Sequence, residues 1–369
     1  MIDTGLYIHI PFCEKKCKYC NFYSIKATDD IIDTYVDVLC EELSLISEKN
    51  KEIILKTIYI GGGTPSLLNQ NQLDKIFNNI NKKFHNDLLE TTIEINPNSS
   101  DKIPIYPKFG INRLSIGIQS TDDIILKKLG RIHDSSQVLK ALEESIKYFS
   151  NISADLILGV DSNQNPIKDF DIIYDFVTHI SAYMLSVEQN TTLYNELNAK
   201  NVSIATEDEA IDQYEKFVSY ATEKKFFRYE ISNFAKLGCE SKHNSSYWKL
   251  SPYVGIGTGA HSYLNGKRYY NISDIYQYIN GNHSGNGKEI IEREANLAAD
   301  KYEYIMLSLR TSQGIILNEY ITKFNDNFLV EYKEKINRTK KYLRITTDSV
   351  SIDSKYFLLQ NTIIGMILF

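Results

Sequence analysis

The chain has 369 residues, 43% of them hydrophobic and 24% charged, a balance expected of a soluble globular protein large enough for two domains. Its net charge of −6 argues against a partner held by bulk positive charge, so nucleic acid is not an expected partner. Five cysteines, three of them clustered, do not make a disulfide framework and point to a reducing, cytoplasmic setting.

In chain order, short β-type runs alternate with longer helical patterns. "LYIHI" is the first predicted strand and is followed at once by Cys13, Cys17 and Cys20. A helix is expected near Asp29 to Ser47, and its Cys40 is read as packing. "KTIYI" is the second strand and runs into "GGGTP". "TTIEIN", "NRLSIGIQ", "ISADLILGV" and "SAYMLSVEQ" supply four more, with helical patterns between most of them. Strands alternating with helices imply right-handed crossovers and a parallel sheet. Six strands predict an α/β fold built as a partial (β/α)6 TIM-type barrel, with functional groups at the C-terminal strand ends. The polar residues obey that rule. Glu94 lies within the third strand, Gln119 ends the fourth, and Glu188 follows the sixth.

Beyond the barrel, Thr206 and Glu209 form a capping-box pattern that opens a helix over Thr206 to Thr222. Tyr214, Phe217, Val218 and Ala221 share one face of it, which predicts core packing. "NGNHSGNG", residues 280 to 287, reads as a linker. This divides the chain into a core over residues 1–280 and a C-terminal domain over 281–369. The second part predicts helices near Arg293 to Arg310, Asn318 to Phe324 and Asn327 to Lys341. The hairpin pattern "YLRITTDSVSID" and a last apolar element follow, so the unit is expected to be mainly helical and winged-helix-like. From Ile291 onward there are 11 basic and 10 acidic residues, so a structural or protein-docking role is expected rather than DNA binding. No secretory signal and no apolar run long enough to span a bilayer is present, and peripheral contact with the inner face of a membrane stays open.

Thiolates bind zinc or iron–sulfur clusters. A zinc site would need a fourth ligand, for which His9 is the nearest candidate, and three separately packed cysteines are the bland reading. A [4Fe–4S] cube held by three thiolates leaves one iron open, and an open coordination site is where a substrate or cofactor binds.

The spacing C-x3-C-x2-C, with Tyr19 just before the third cysteine, resembles the radical SAM superfamily, and "GGGTP" resembles its glycine-rich motif. "YIHIPFC", "IEINP", "RLSIGIQS", "LGRIHD", "ADLILG" and "GIGTGAHSYL" narrow the resemblance to the branch that contains HemN and HemW. HemN is an oxygen-independent coproporphyrinogen III dehydrogenase, and HemW is a heme chaperone. The resemblance implies a [4Fe–4S] cluster on Cys13, Cys17 and Cys20. It also implies an S-adenosylmethionine (SAM) site lined by Tyr7, Gly62, Gly63, Thr64, Glu94, Gln119, Arg131 and Asp155. The chemistry suits SAM: Arg131 can pair with a carboxylate, and Glu94 and Asp155 can accept from hydroxyls or an ammonium.

Within the branch, the dehydrogenase motif continues to a further cysteine where this chain has Phe22, and only 12 residues precede Cys13. "HNSSYW" resembles the heme motif of the chaperones, which makes His243 the expected heme ligand and Tyr247 and Trp248 the expected porphyrin-facing rings. His261 is the competing histidine, expected nearer the SAM site. The resemblance thus implies a heme chaperone, not an enzyme. Its partners would be heme, an acceptor hemoprotein of the membrane-bound respiratory kind, an electron donor for the cluster, and a second copy in a homodimer. The alternative is a radical SAM decarboxylase acting on coproporphyrinogen III.

Overall fold

A computed structural model describes all 369 residues. Six parallel strands, β1 (Ile2–Ile10), β2 (Ile53–Gly62), β3 (His85–Ile95), β4 (Arg113–Gln119), β5 (Ile152–Leu158) and β6 (His179–Met184), lie side by side in chain order. Most of their residues are apolar or β-branched and buried on both faces, as parallel strands covered by helices are, while the first half of β3 (His85–Leu89) and the end of β6 are exposed. On β1 the period of two is plain. Leu6, Ile8 and Ile10 are fully buried in the main hydrophobic core, while Tyr7 and His9 point the other way, into the barrel lumen.

The helices between strands begin where side chains can cap them. Asn69 with Gln72, Asp134 with Gln137 and Thr206 with Glu209 each form a capping box, so the expected helix over Thr206 to Thr222 is present as Glu207–Glu223. Tyr214, Phe217 and Ala221 are buried on it, as its pattern predicted.

The barrel is open, and other strands extend both edges. β6 pairs antiparallel with β8 (Asn233–Ala235), which pairs with β7 (Phe227–Arg228). On the other edge β1 pairs parallel with β9 (Tyr253–Ile256), followed by the antiparallel β10 (His261–Leu264), β11 (Lys267–Tyr270) and β12 (Ile290–Arg293). None of these six short strands was expected from the sequence.

Residues 280–287 correct the linker reading. His283 and Ser284 are buried, Ser284 Oγ donates to the Glu42 carboxylate, and Lys49 Nζ donates to Gly285 O. Glu42 lies in the helix Asp29–Lys49 and also accepts from Tyr278 OH and Asn271 Nδ2, so the segment is riveted to the core. Because β12 still belongs to the large sheet, that sheet runs past residue 280 to Arg293.

After it come the helices Leu297–Ser308 and Leu317–Phe324. The expected helix over Asn327 to Lys341 is two short ones, Phe328–Glu331 and Lys333–Thr339, broken at Tyr332. β13 (Ile315–Ile316), β15 (Ser349–Ile352) and β14 (Leu343–Ile345) form a small antiparallel sheet, and a last helix spans Gln360–Leu368. This part has its own apolar core, which Leu250 and Tyr263 join from the larger body. No helix is long and apolar enough to cross a membrane.

Candidate functional site

The loop that leaves β1 is tied down along its length. Cys13 N donates to Ile25 O (3.0 Å), Ile25 N to Pro11 O (2.9 Å), and Lys18 N to Leu129 O (3.0 Å). Lys18 also pairs with Glu196 at 2.8 Å. These bonds fix the loop across the C-terminal ends of the strands, where it closes one side of a cavity of about 460 Å³.

Cys13, Cys17 and Cys20 line that cavity, together with Gly62, Gly63, Thr64, Glu94, Gln119, Arg131 and Asp155. Seven of the eight residues expected around SAM therefore meet the cysteines. Glycine at the second-strand motif is required by close approach. A Cβ on Gly63 would stand 2.6 Å from Phe12 O, and Gly62, at φ +116°, would place one 2.7 Å from the His9 ring. Gln119 also sits at positive φ (+70°), unusual for a residue with a side chain, where β4 ends at the cavity.

Arg131 organises the site. Its Nη1 donates to Cys17 Sγ (3.2 Å), and its Nη2 to Asn96 Oδ1 (2.8 Å) and Gly117 O (2.7 Å). Asn96 Nδ2 reaches Thr64 Oγ1 at 3.3 Å, and Thr64 Oγ1 lies 3.6 Å from Cys13 Sγ. Asn96 did not stand out in the sequence. Its signal was its place at the end of β3, two residues after Glu94.

The donor set fits an iron–sulfur cluster better than a single ion. No three metal-ligating side chains converge closely enough to hold one metal. The three thiols instead line one cavity, as groups that each bind a different iron of a cube would. Arg131 Nε is buried without a partner, a cationic donor left over for an anionic ligand group.

Glu94 accepts from Tyr59 OH (2.7 Å) and from Gly62 N (3.0 Å). Burial pushes its carboxyl up to about 7, the two hydrogen bonds oppose that, and nearby Asp155 adds to it. Burial raises Asp155 as well, against hydrogen bonds from Ser181 and Ser115. A folded-state pKa above the unfolded one means the protonated form is favoured by folding. Glu94's contribution is then complete below its ordinary value of 4.5 and is lost as pH rises through about 7. Glu94→Gln is expected to flatten this decline in urea unfolding of the SAM-free chain between about pH 5 and pH 8. Glu230, also pushed up to about 7 by burial, keeps its share of the slope. An undiminished slope in the variant contradicts the assignment.

Tyr7 is the exception among the SAM candidates. It lines a second cavity of about 640 Å³ with His9, Tyr247, Tyr253, His261 and Arg268. Phe22, Gly62 and Glu94 border both cavities, so the two adjoin. His261 belongs to this second space, not to the cysteine cavity as expected.

His243, the expected heme ligand, lines neither of the two cavities. The ring is fully buried, Nδ1 is 2.8 Å from Thr57 Oγ1, and Nε2 is 2.7 Å from Tyr247 OH. It stacks on Tyr59 with ring centroids 5.2 Å apart and packs against Gly5. Both nitrogens are engaged, and burial drives the ring down to about 3, so it stays neutral with no lone pair facing a cavity. Of the two aromatic rings in the motif, Tyr247 reaches the second cavity and Trp248 lines a separate depression.

The sequence model of the Radical SAM superfamily matches residues 7–171. The chain is 32% identical to the Lactococcus lactis protein named heme chaperone HemW over 369 aligned residues, covering 98% of this chain and 96% of that one. It is 34% identical to the Bacillus subtilis heme chaperone HemW, covering 86% of each. Among solved structures, the coproporphyrinogen III oxidase HemN of Escherichia coli superposes with a TM-score of 0.84 at 18% identity, covering 99% of this chain and 90% of that one. That likeness is one of fold.

Proposed function

Because the chain belongs to the HemN/HemW branch of the radical SAM superfamily, we propose that it is a heme chaperone, which binds heme and passes it to an acceptor hemoprotein. The observation that carries this reading is the alignment, over nearly its whole length, with relatives that bear that name. The second cavity, walled by Tyr7, Tyr247 and Tyr253, offers aromatic rings for a porphyrin to pack against.

The family's [4Fe–4S] cluster would be held by Cys13, Cys17 and Cys20, with SAM on the open iron. With SAM bound, the reduced cluster would supply one electron that splits the SAM sulfonium into methionine and a 5′-deoxyadenosyl radical. The chain's own residues do the holding. Arg131 anchors the Cys17 turn to Asn96 and Gly117, and its free Nε is available to the SAM carboxylate. Gly62 and Gly63 admit the methionine part close to the backbone. Glu94 and Asp155 are the acceptors for ammonium and ribose hydroxyls. The acceptor is proposed to be a respiratory hemoprotein at the inner face of the membrane, with the chain working from the cytoplasm, as a homodimer when the cluster is present. A separate donor would reduce the cluster.

Incubating the anaerobically reconstituted chain with SAM, a reductant and coproporphyrinogen III tests the reading against decarboxylase chemistry. No protoporphyrinogen is expected, and sustained turnover would sink the chaperone assignment.

A further inference from the structure

The lumen beneath the cysteine cavity is polar, whereas the interior of a closed TIM barrel is filled by branched apolar side chains. On β4, Gly117 and Gln119 line the cavity, and Ser115 and Arg113 continue the same face downward, since alternate residues of a strand share a face. Ser115 stands beside Glu94 in the pairing of β3 with β4, and its Oγ donates to Asp155 Oδ1 at 3.5 Å. Arg113 stands one step lower, beside Thr92. It is 1% exposed, and Nε and Nη1 of its guanidinium have no hydrogen-bond partner. A buried cation left without partners is costly to a fold, and so its place calls for a reason.

The reason lies in the acids around it. Glu90 is committed to the start of the helix Lys242–Trp248, where it accepts from Ser241 Oγ (3.3 Å), Lys242 N (2.9 Å) and His243 N (3.0 Å). Glu230 is held by the N–H groups of Ile231, Ser232 and Asn233. That leaves Glu94 and Asp155, the two buried acids that line the cysteine cavity. The Arg113 charge opposes the upward push of burial on both. The other titratable groups facing this lumen are uncharged. The phenols of Tyr7, Tyr59 and Tyr183 are pushed up by desolvation, and the rings of His9, His179 and His243 are pushed down by it. Arg131, on the cavity side, already holds Cys17, Asn96 and Gly117. Lys15, Lys16 and Glu188 stand at the exposed rim.

We propose that Arg113 is a positioning residue of the SAM site: from the floor of the lumen its guanidinium holds Glu94 and Asp155 as carboxylates, ready to accept from the ammonium and ribose hydroxyls of SAM. This rests on the SAM site proposed above. Arg113 does not line the cavity, so it acts on the ligand only through the two acids.

The test is equilibrium dialysis of SAM against the full, cluster-loaded chain between about pH 6.5 and about pH 8.5, with cluster absorption as the control for folding. Arg113→Met should bind SAM about tenfold more weakly than wild type at the acid end. The gap should close to within about twofold at the alkaline end, where the acids ionise without help. Arg113→Lys, which keeps the charge, should recover most of the affinity lost at the acid end. Arg113→Gln takes the place of Arg113→Met if that variant fails to load its cluster. A packing defect has no reason to heal as pH rises, so an equal loss of affinity at every pH overturns the assignment. So does wild-type affinity throughout in Arg113→Met, or a profile of Arg113→Lys that follows Arg113→Met. A wild-type chain that binds no SAM at all overturns the SAM site itself, an outcome distinct from a misassigned Arg113.

Discussion

Cys13→Ser is expected to remove the iron–sulfur cluster outright. Anaerobically reconstituted wild-type chain should carry about four iron atoms, and the variant close to none, with the broad visible absorption gone. In the proposed cluster each thiolate of the trio would hold one iron, and two remaining sulfurs would not retain a cube. Cys17→Ser and Cys20→Ser should act alike, since all three sulfurs line the same cavity. Reductive SAM cleavage should fall to background in each. Cys40→Ser and Cys239→Ser serve as controls and should keep their iron. Cys40 lies in the helix Asp29–Lys49, packed against the main core, and neither residue lines the cavity. Survival of about four iron and four sulfide per chain in Cys13→Ser would mean the ligand set is wrong.

His243→Ala should cost folding stability. The substitution removes a fully buried ring and strands Thr57 Oγ1 and Tyr247 OH without their partner. Two lost hydrogen bonds and the space left behind sum to about 3 kcal/mol, read as a lower urea midpoint. Burial also keeps the imidazole uncharged. Because its folded pKa lies below the unfolded one, its stabilising contribution is present above about pH 6.5 and declines as pH falls toward about 3. The variant should lack that part of the acid sensitivity. An unchanged urea midpoint in the variant would contradict this.

The barrel was legible because each of its six strands is a run of apolar, mostly β-branched residues that ends in a polar motif. Alternation with helical patterns then leaves few topologies. The edge strands β7 to β12 escaped notice because they are two to four residues long and exist through pairing with distant partners. "NGNHSGNG" misled for a related reason. Its glycines and asparagines read as a linker, yet Ser284 and its neighbours satisfy Glu42, more than two hundred residues away. The site divided in the same manner. Gly62, Gly63, Thr64, Glu94, Gln119 and Asp155 lie in or just after the parallel strands, so the sheet brings them together, whereas Arg131 arrives through the turn after the helix Asp123–Leu129. Tyr7 was on the right strand, but the lumen it faces opens on two cavities, and it belongs to the second. A motif names His243 without saying which way its ring turns, and here the ring turns inward.

Phe22 links the two halves of the account, since it borders both cavities at the position where the decarboxylating relatives carry a further cysteine. The claim that most needs testing is that a chain with a radical SAM site carries heme. Anaerobic titration of the cluster-loaded chain with hemin tests it directly. The account predicts a saturable, stoichiometric Soret band distinct from that of free hemin, with the cluster absorption unchanged. A spectrum that follows free hemin throughout the titration would contradict it.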